Sequence, residues 1–247
     1  MIDPTLFADP KPLDRVAHKG LRADFQRVRY DRMARQNALF VTAIEFGDVC
    51  REYPIVFVDA GVNEQGKPEV APVAVMGLSV GENLMLEADG RWAAHYVPAL
   101  LRGYPFGVVR SGTDEFVVVH DAAHAGLSAD VGEPLFDANG EPSEALQARR
   151  QFIEELERET VRTRAVCQRL QELDLLRPMR FDATLPDGNT VGVDGFQTVN
   201  DERFAALGDA QVIELFRNGL LGLIHAHQLS LPLMRRLVER RFARAAN

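Results

Sequence analysis

An α+β fold is predicted for this chain: an antiparallel β-rich N-terminal portion with short helices, then a long amphipathic helix and a helical C-terminal portion. Three observations lead there. Across residues 41–140, short apolar runs alternate with glycine, proline and aspartate at hairpin spacing. No glycine or proline interrupts the chain between Pro142 and Pro178, where apolar residues recur at helical spacing. Beyond residue 200, capping signals at Asn200, Asp209 and Gly219 bracket further helical segments. The 247 residues are read as a single domain: 1–40 an extended, wrapping lead-in, 41–140 the β-rich portion, and 141–247 the helical portion with one hairpin near 181–193.

The elements follow in order. Residues 1–12 carry Pro4, Pro10 and Pro12 and read as an extended lead-in rather than regular structure. Residues 13–37 are polar and Arg-rich with scattered Phe25, Tyr30 and Met33, either a surface-wrapped loop or a short amphipathic helix. Residues 45–53 favour a helical turn that must end before Pro54, because proline excludes the helical conformation from its predecessor. Residues 55–58 form a buried strand, 59–68 a loop, and 70–78 a second strand that Pro72 pushes towards an edge or a bulge. After a turn at 79–82, residues 83–87 read as a strand that Asp89-Gly90 folds back into 91–94. Residues 97–102 make one or two helical turns, and 106–110 pairs with 115–120 as another hairpin turning through 111–114.

Pro142-Ser143 opens the long helix, with Phe152, Leu156, Val166, Leu170 and Leu173 on one face. Its acidic-then-basic charge order suits the helix dipole, and Pro178 is taken as its stop. Residues 181–185 and 190–193 form a hairpin through Pro186-Asp187-Gly188-Asn189. Asn200-Asp201 caps a helix to Leu207, and Asp209 starts one that Asn218-Gly219 ends. Residues 220–230 are strongly apolar and read as a buried helix. The tail from Leu233 is basic, with Arg235, Arg236, Arg240, Arg241 and Arg244 against Glu239.

Composition bounds the function. At 46% hydrophobic and 26% charged, the chain has the makings of a globular domain with a sizeable core. The net charge of −8 is concentrated in residues 41–140, which would repel a phosphate backbone and argues against nucleic acid as a partner. Cys50 and Cys167 lie far apart in helix-like segments and read as small apolar residues rather than a bridge or redox pair. Met1-Ile2-Asp3-Pro4 lacks the basic-then-apolar order of a secretory signal, and no window approaches the roughly 20 apolar residues of a membrane span. A cytoplasmic location is expected.

Candidate chemistry is sparse. His120 and His124 are spaced to share a helix face and hold a metal, but residues 116–120 read as a strand. His225 and His227 on a helix point about 200° apart, so one is a core histidine and the other reaches the surface. A site there would need His18 or His95 to join from elsewhere. Gly77-Leu78-Ser79-Val80-Gly81 matches the nucleophile-elbow pattern formally, yet a strand rather than a helix is expected after it. Phosphate-binding glycine loops and Walker-type lysines are absent. Tyr53-Pro54 and Tyr104-Pro105 each lead into an apolar run, where tyrosine and proline pack at the start of a strand or line a ligand groove.

One ordered set of residues carries a resemblance. It begins with Pro12-Leu13 and His18, then Ala43-Ile44-Glu45-Phe46 and Arg51-Glu52-Tyr53-Pro54-Ile55-Val56-Phe57. It continues with Gly81-Glu82-Asn83-Leu84, Trp92, residues 96–106, Phe136-Asp137, Gly140-Glu141 and the long helix. It closes with Leu185-Pro186-Asp187-Gly188, Gly195-Phe196, Gly219-Leu220 and residues 224–231. In this order and spacing the chain resembles the SapC family over essentially its whole length, departing from the usual pattern at Pro232. The family name derives from a surface-layer gene cluster. Similar members occur beside TonB-dependent receptors and flavin-dependent tryptophan halogenases in Gram-negative bacteria.

The resemblance implies an accessory or binding protein of a cell-envelope or nutrient-uptake system, and supplies no catalytic residues. Its expected partners are protein components of envelope or TonB-dependent systems, or a peptide or small ligand. The residues singled out for binding are His18, Tyr53, Tyr96, Tyr104, His225, His227 and Ser230, with no cofactor indicated. The alternative is a metal-dependent or other small-molecule-modifying enzyme using His18, His225 or His227. The Arg-rich tail adds the expectation of peripheral contact with an anionic surface.

Overall fold

The computed structural model describes residues 3–25, 30–63, 65–111, 115–184, 188 and 190–245. The class is α+β, with every sheet antiparallel. The early strands are β1 (Pro10–Pro12), β2 (Arg22–Ala23), β3 (Ala38–Phe40), β4 (Ile55–Val62) and β5 (Pro68–Val75). The hairpin β6 (Phe106–Ser111) and β7 (Glu115–Asp121) follows, then the short β8 (Leu127–Ser128) and β9 (Glu133–Pro134). A last hairpin is made by β10 (Leu176–Thr184) and β11 (Thr190–Val199). The helices are α1 (Phe46–Val49), α2 (Ala99–Gly103), α3 (Glu144–Glu172) and α4 (Asp201–Ala205), then α5 (Asp209–Arg217), α6 (Leu220–Ser230) and α7 (Leu233–Ala245).

Backbone contacts divide the chain into two compact units made of interleaved segments. Unit 1 comprises Met1–Met33, Ala88–Arg91 and Ala99–Arg158; unit 2 comprises Ala34–Glu87, Trp92–Pro98 and Glu159–Asn247.

In unit 1, β1, β7 and β6 form one sheet in that order, and β8, β2 and β9 a second. The lead-in is therefore not wholly irregular: Pro10, Lys11 and Pro12 pair with Asp121, His120 and Val119. Two prolines are tolerated there because β1 is an edge strand, where a missing N–H costs the ladder little. The turn expected within the β6–β7 hairpin, at 112–114, lies outside the described residues. Ala23, Phe106, Val108, Leu135, Phe136, Leu146 and Ile153 form the core.

In unit 2, the sheet order is β10-β11-β4-β5-β3. β4 and β5 extend further than their apolar runs suggest, because the loop-like residues 59–62 continue the pairing as an exposed arm. Pro72 sits mid-strand opposite Phe57 rather than at an edge.

A second correction concerns residues 83–87, which are not a strand and contribute only the isolated bridge of Leu86 to Trp92. Their carbonyls go elsewhere. Arg244 donates to Asn83 and Leu86 at 2.7 and 2.6 Å, and Arg240 and Arg244 both donate to Leu84. Arginines from α7 thus take the bonds that a neighbouring strand would have taken.

The long helix is present, but its buried positions are Leu146, Ile153, Thr160, Thr163, Cys167 and Leu170, of which only Leu170 belongs to the apolar row expected. Thr163 belongs inside because its Oγ1 accepts from the Ala43 N–H at 2.8 Å and donates to the Glu159 carbonyl at 2.7 Å. Pro178 does not stop the helix. It lies within the edge strand β10. The stop is Asp174, in the left-handed conformation at φ 54°. The Leu175 N–H then reaches back to the Leu170 carbonyl and the Asp174 N–H to Gln171, both at 2.9 Å, while Leu170 and Leu175 are buried together.

The β10–β11 hairpin is present, and the turn expected at 186–189 lies, apart from Gly188, outside the described residues. Asn200 caps α4 through its side-chain oxygen, which accepts from the N–H groups of Glu202 and Arg203. Gly219 takes φ 82° between α5 and α6. Helix α6 buries one stripe only, Leu220, Ile224, His227 and Ser230, and leaves Leu229 73% exposed.

Candidate functional site

Two of the residues expected to bind ligand serve the β4 backbone instead. Proline at 54 fixes the start of β4, and the next residue, Ile55, receives both of its local bonds from α6. Ser230 Oγ accepts the Ile55 N–H at 2.8 Å and donates to the His227 carbonyl at 2.6 Å. His227 Nε2 accepts the Val199 N–H at 3.1 Å, so the ring proton resides on Nδ1, which donates to the Ile55 carbonyl at 2.8 Å. The imidazole is wholly buried, and burial is what pulls its pKa down to about 4. A neutral, doubly bonded ring joins β4 to β11 and has no lone pair left for a metal.

Tyr53 and Tyr96 form a second structural knot. The buried Tyr53 hydroxyl donates to the Tyr96 carbonyl at 2.5 Å and accepts from Trp92 Nε1 at 2.7 Å. Burial pushes its phenol well above the ordinary range. Tyr96 in turn donates its hydroxyl to buried Glu45 at 2.9 Å and its N–H to Glu52 at 2.7 Å. Glu45 closes a capping box with Thr42.

The other candidates are scattered. His225 is exposed, its Nδ1 3.1 Å from Gln228 Oε1 and its ring edge-on to Phe204. His18 uses Nδ1 to accept the Asp14 N–H at 2.9 Å, and its ring meets His120 edge-to-face with centroids 4.7 Å apart. His120 is 3% exposed and its Nδ1 has no hydrogen-bond partner. His120 lies within β7, next to its last residue Asp121, and His124 lies past it, so the two are not carried on a helix. Among the described residues no group of three or more His, Cys, Asp or Glu is placed to hold a metal.

The Ser79 pattern resolves as a turn. A Cβ at Gly77 would collide with the Glu82 carbonyl, Gly81 stands at φ 82°, and Ser79 Oγ accepts from Arg241. Of the basic tail, Arg240, Arg241 and Arg244 face residues 79–87, while Arg235 and Arg236 stay exposed.

Tyr104 lies differently. It is one wall of a cleft in unit 1 of about 640 Å³, shared with Arg32, His124, Asp24, Asp31 and Val131. Its ring packs edge-on against Phe7 at 5.4 Å and His124 at 4.9 Å, and its hydroxyl donates to Asp121 Oδ2 at 2.8 Å. Asp121 is fully buried yet ionised. Burial would raise its pKa, but bonds from the Ala8 and Asp9 N–H groups, the Tyr104 hydroxyl and the Ala123 N–H hold it below the ordinary carboxylate value. Tyr104 is thereby held in place, and burial with the Asp121 hydrogen bond and charge pushes its phenol up. Burial lowers the His124 pKa against the pull of Asp121, so the imidazole is neutral near pH 7. Neither Arg32 nor the His124 ring nitrogens have a hydrogen-bond or ion-pair partner among the described residues. Neither residue had a sequence signal of its own for this role: Arg32 stands in an aperiodic Arg-rich stretch, and His124 drew notice only as a spacing partner of His120.

The family model for SapC matches residues 13–237. The chain belongs to the SapC family. No curated protein and no solved structure matches it. For a SapC protein, the match spans the Tyr53-Pro54 and Tyr104-Pro105 motifs, the cleft and the α6 stripe alike. No helix among the described residues is long and apolar enough to cross a membrane.

Proposed function

We propose that this SapC-family protein is a non-catalytic accessory or binding protein of a bacterial cell-envelope or nutrient-uptake system, working in the cytoplasm, and that its ligand sits in the unit 1 cleft beside Tyr104. One observation carries the reading. Tyr53, Tyr96, His227 and Ser230 are occupied within the fold, whereas the cleft presents the Arg32 guanidinium and the His124 ring nitrogens with no hydrogen-bond or ion-pair partner among the described residues. A concave site with a few convergent polar groups on an apolar wall is the usual form of a small-molecule site. The free thiols of Cys50 and Cys167, the latter buried with its pKa pushed up to about 12, suit a reducing compartment.

The test is native mass spectrometry of protein purified without an affinity tag, paired with thermal-shift measurements against a small-molecule panel. The reading requires a ligand whose affinity falls at least tenfold in Arg32→Ala or His124→Ala. Release of that ligand chemically altered would overturn the non-catalytic half of the proposal.

A second reading, a metal-dependent or other small-molecule-modifying enzyme, draws on the His18–His120 contact and the orphaned Nδ1 of His120. Its test is elemental analysis of the same preparation. Stoichiometric transition metal lost in His120→Ala would establish its metal-dependent form over the accessory reading, and metal-free protein would end that form.

A further inference from the structure

We infer that the unit 1 cleft takes a small monocarboxylate, its carboxylate forked by Arg32 and its apolar or aromatic body laid against the ring of Tyr104. The inference rests on reading the cleft as a ligand site and specifies what enters it. Each lining group narrows the chemistry. The Tyr104 hydroxyl is taken by Asp121, so the residue offers only its ring. Ser128 is spent too: its Oγ accepts from the Asp130 and Val131 N–H groups and donates to the Val131 carbonyl. Ala123, Ala125 and Val131 add apolar wall. Among the described residues, the polar handles without a hydrogen-bond or ion-pair partner are the Arg32 guanidinium and the His124 ring nitrogens.

Charge then selects the anion. Arg32 supplies a single positive charge, and a guanidinium presents a planar fork that matches a carboxylate in bidentate fashion. His124 is neutral near pH 7 and serves as a hydrogen-bonding group rather than a second cation. Asp24 and Asp31 line the same cleft. Both have interactions of their own within the protein, which leaves one guanidinium to balance a single carboxylate rather than a phosphate ester or a dicarboxylate. The volume, about 640 Å³, falls within the range of small-molecule sites. A free carboxylic acid and the C-terminus of a short peptide share this chemistry, and the probes below separate them.

The full-length protein is titrated calorimetrically with phenylacetate and a series of alkyl and aryl monocarboxylates, with phenylacetamide and phenyl phosphate as controls. A tetrapeptide ending in Phe is added in free-acid and amidated forms. The expected result is saturable binding of at least one monocarboxylate, tenfold or more weaker for its amide, and weakened tenfold or more by Arg32→Gln. Arg32 is exposed and outside the core, so this variant keeps the melting temperature of the parent. Binding of the free-acid peptide but not of the small acids would assign a peptide terminus; the reverse would assign a metabolite-sized acid. Amide bound as well as acid, or affinity unchanged by Arg32→Gln, would overturn the carboxylate inference. If such binding is still lost in His124→Ala, the cleft remains a ligand site and only its assigned chemistry falls. No binding by any carboxylate overturns the inference, and the cleft reading falls with it only if native mass spectrometry also finds the site empty.

Discussion

His227 holds Ile55 by its carbonyl, Nδ1 to oxygen 2.8 Å apart, across 172 positions of sequence. With Ser230 on the Ile55 N–H, both backbone groups at the start of β4 are satisfied by side chains of one helix. Replacing His227 with Ala leaves the Ile55 carbonyl and the Val199 N–H buried and unpaired and opens a cavity beside Phe57. Two lost partners and the cavity together predict a loss of about 3–5 kcal/mol. Urea denaturation followed by far-UV circular dichroism measures it, and a loss below about 1 kcal/mol would contradict the clamp.

The same residue sets a pH dependence. His227 has a folded pKa of about 4, against about 6.5 when unfolded. Between those values the unfolded chain binds the extra proton, so stability is complete above about pH 6.5 and falls as the pH drops towards 4. The full span is worth about 3 kcal/mol. His120 and His124 titrate in the same direction, so the decisive measurement is a difference. His227→Gln, whose amide can both donate and accept without titrating, is expected to show a shallower decline than the parent. Parallel curves would count against this assignment.

Tyr53→Phe removes the acceptor of Trp92 Nε1 and the donor to the Tyr96 carbonyl. A cost of about 1–3 kcal/mol follows from leaving buried partners unpaired. Trp92 is the chain's single tryptophan, so its fluorescence reports on this knot alone. The emission maximum and quenchability are expected to change in the variant, and an unchanged spectrum would argue against the bond.

Arg244→Ala is expected to free residues 83–87 while leaving the global fold intact. Its guanidinium serves the carbonyls of Asn83, Leu84 and Leu86 and lies 3.8 Å from Glu87. Hydrogen exchange across 83–87 should accelerate at least tenfold, with little effect in β4 and β5. Uniform acceleration would instead mean that the helix tail supports the whole of unit 2.

These cases also show what the sequence makes legible. The long helix was readable because period and absence of breakers agree over many turns. Its end was not, since Asp174 takes a left-handed conformation that glycine usually announces, and Pro178 offered a more obvious stop. Residues 83–87 have the composition of a strand, and only the arginines of α7 reveal that their carbonyls are already engaged. In the site, Tyr53 and Tyr104 share a motif and look equivalent. Their hydroxyl partners, Tyr96 and Asp121, are what distinguish a knot from a cleft wall, and neither pairing leaves a local signature.

The path of the chain has a bearing on synthesis. β4 pairs with β5 soon after both are made, but its other neighbour, β11, comes more than a hundred residues later, and the His227–Ser230 clamp later still. A ribosome therefore exposes one flank of β4 unpaired until β11 has been made. Unit 2 cannot finish until its last segment, after residue 158, has been made, and unit 1 must take shape from segments on either side of residues 34–87.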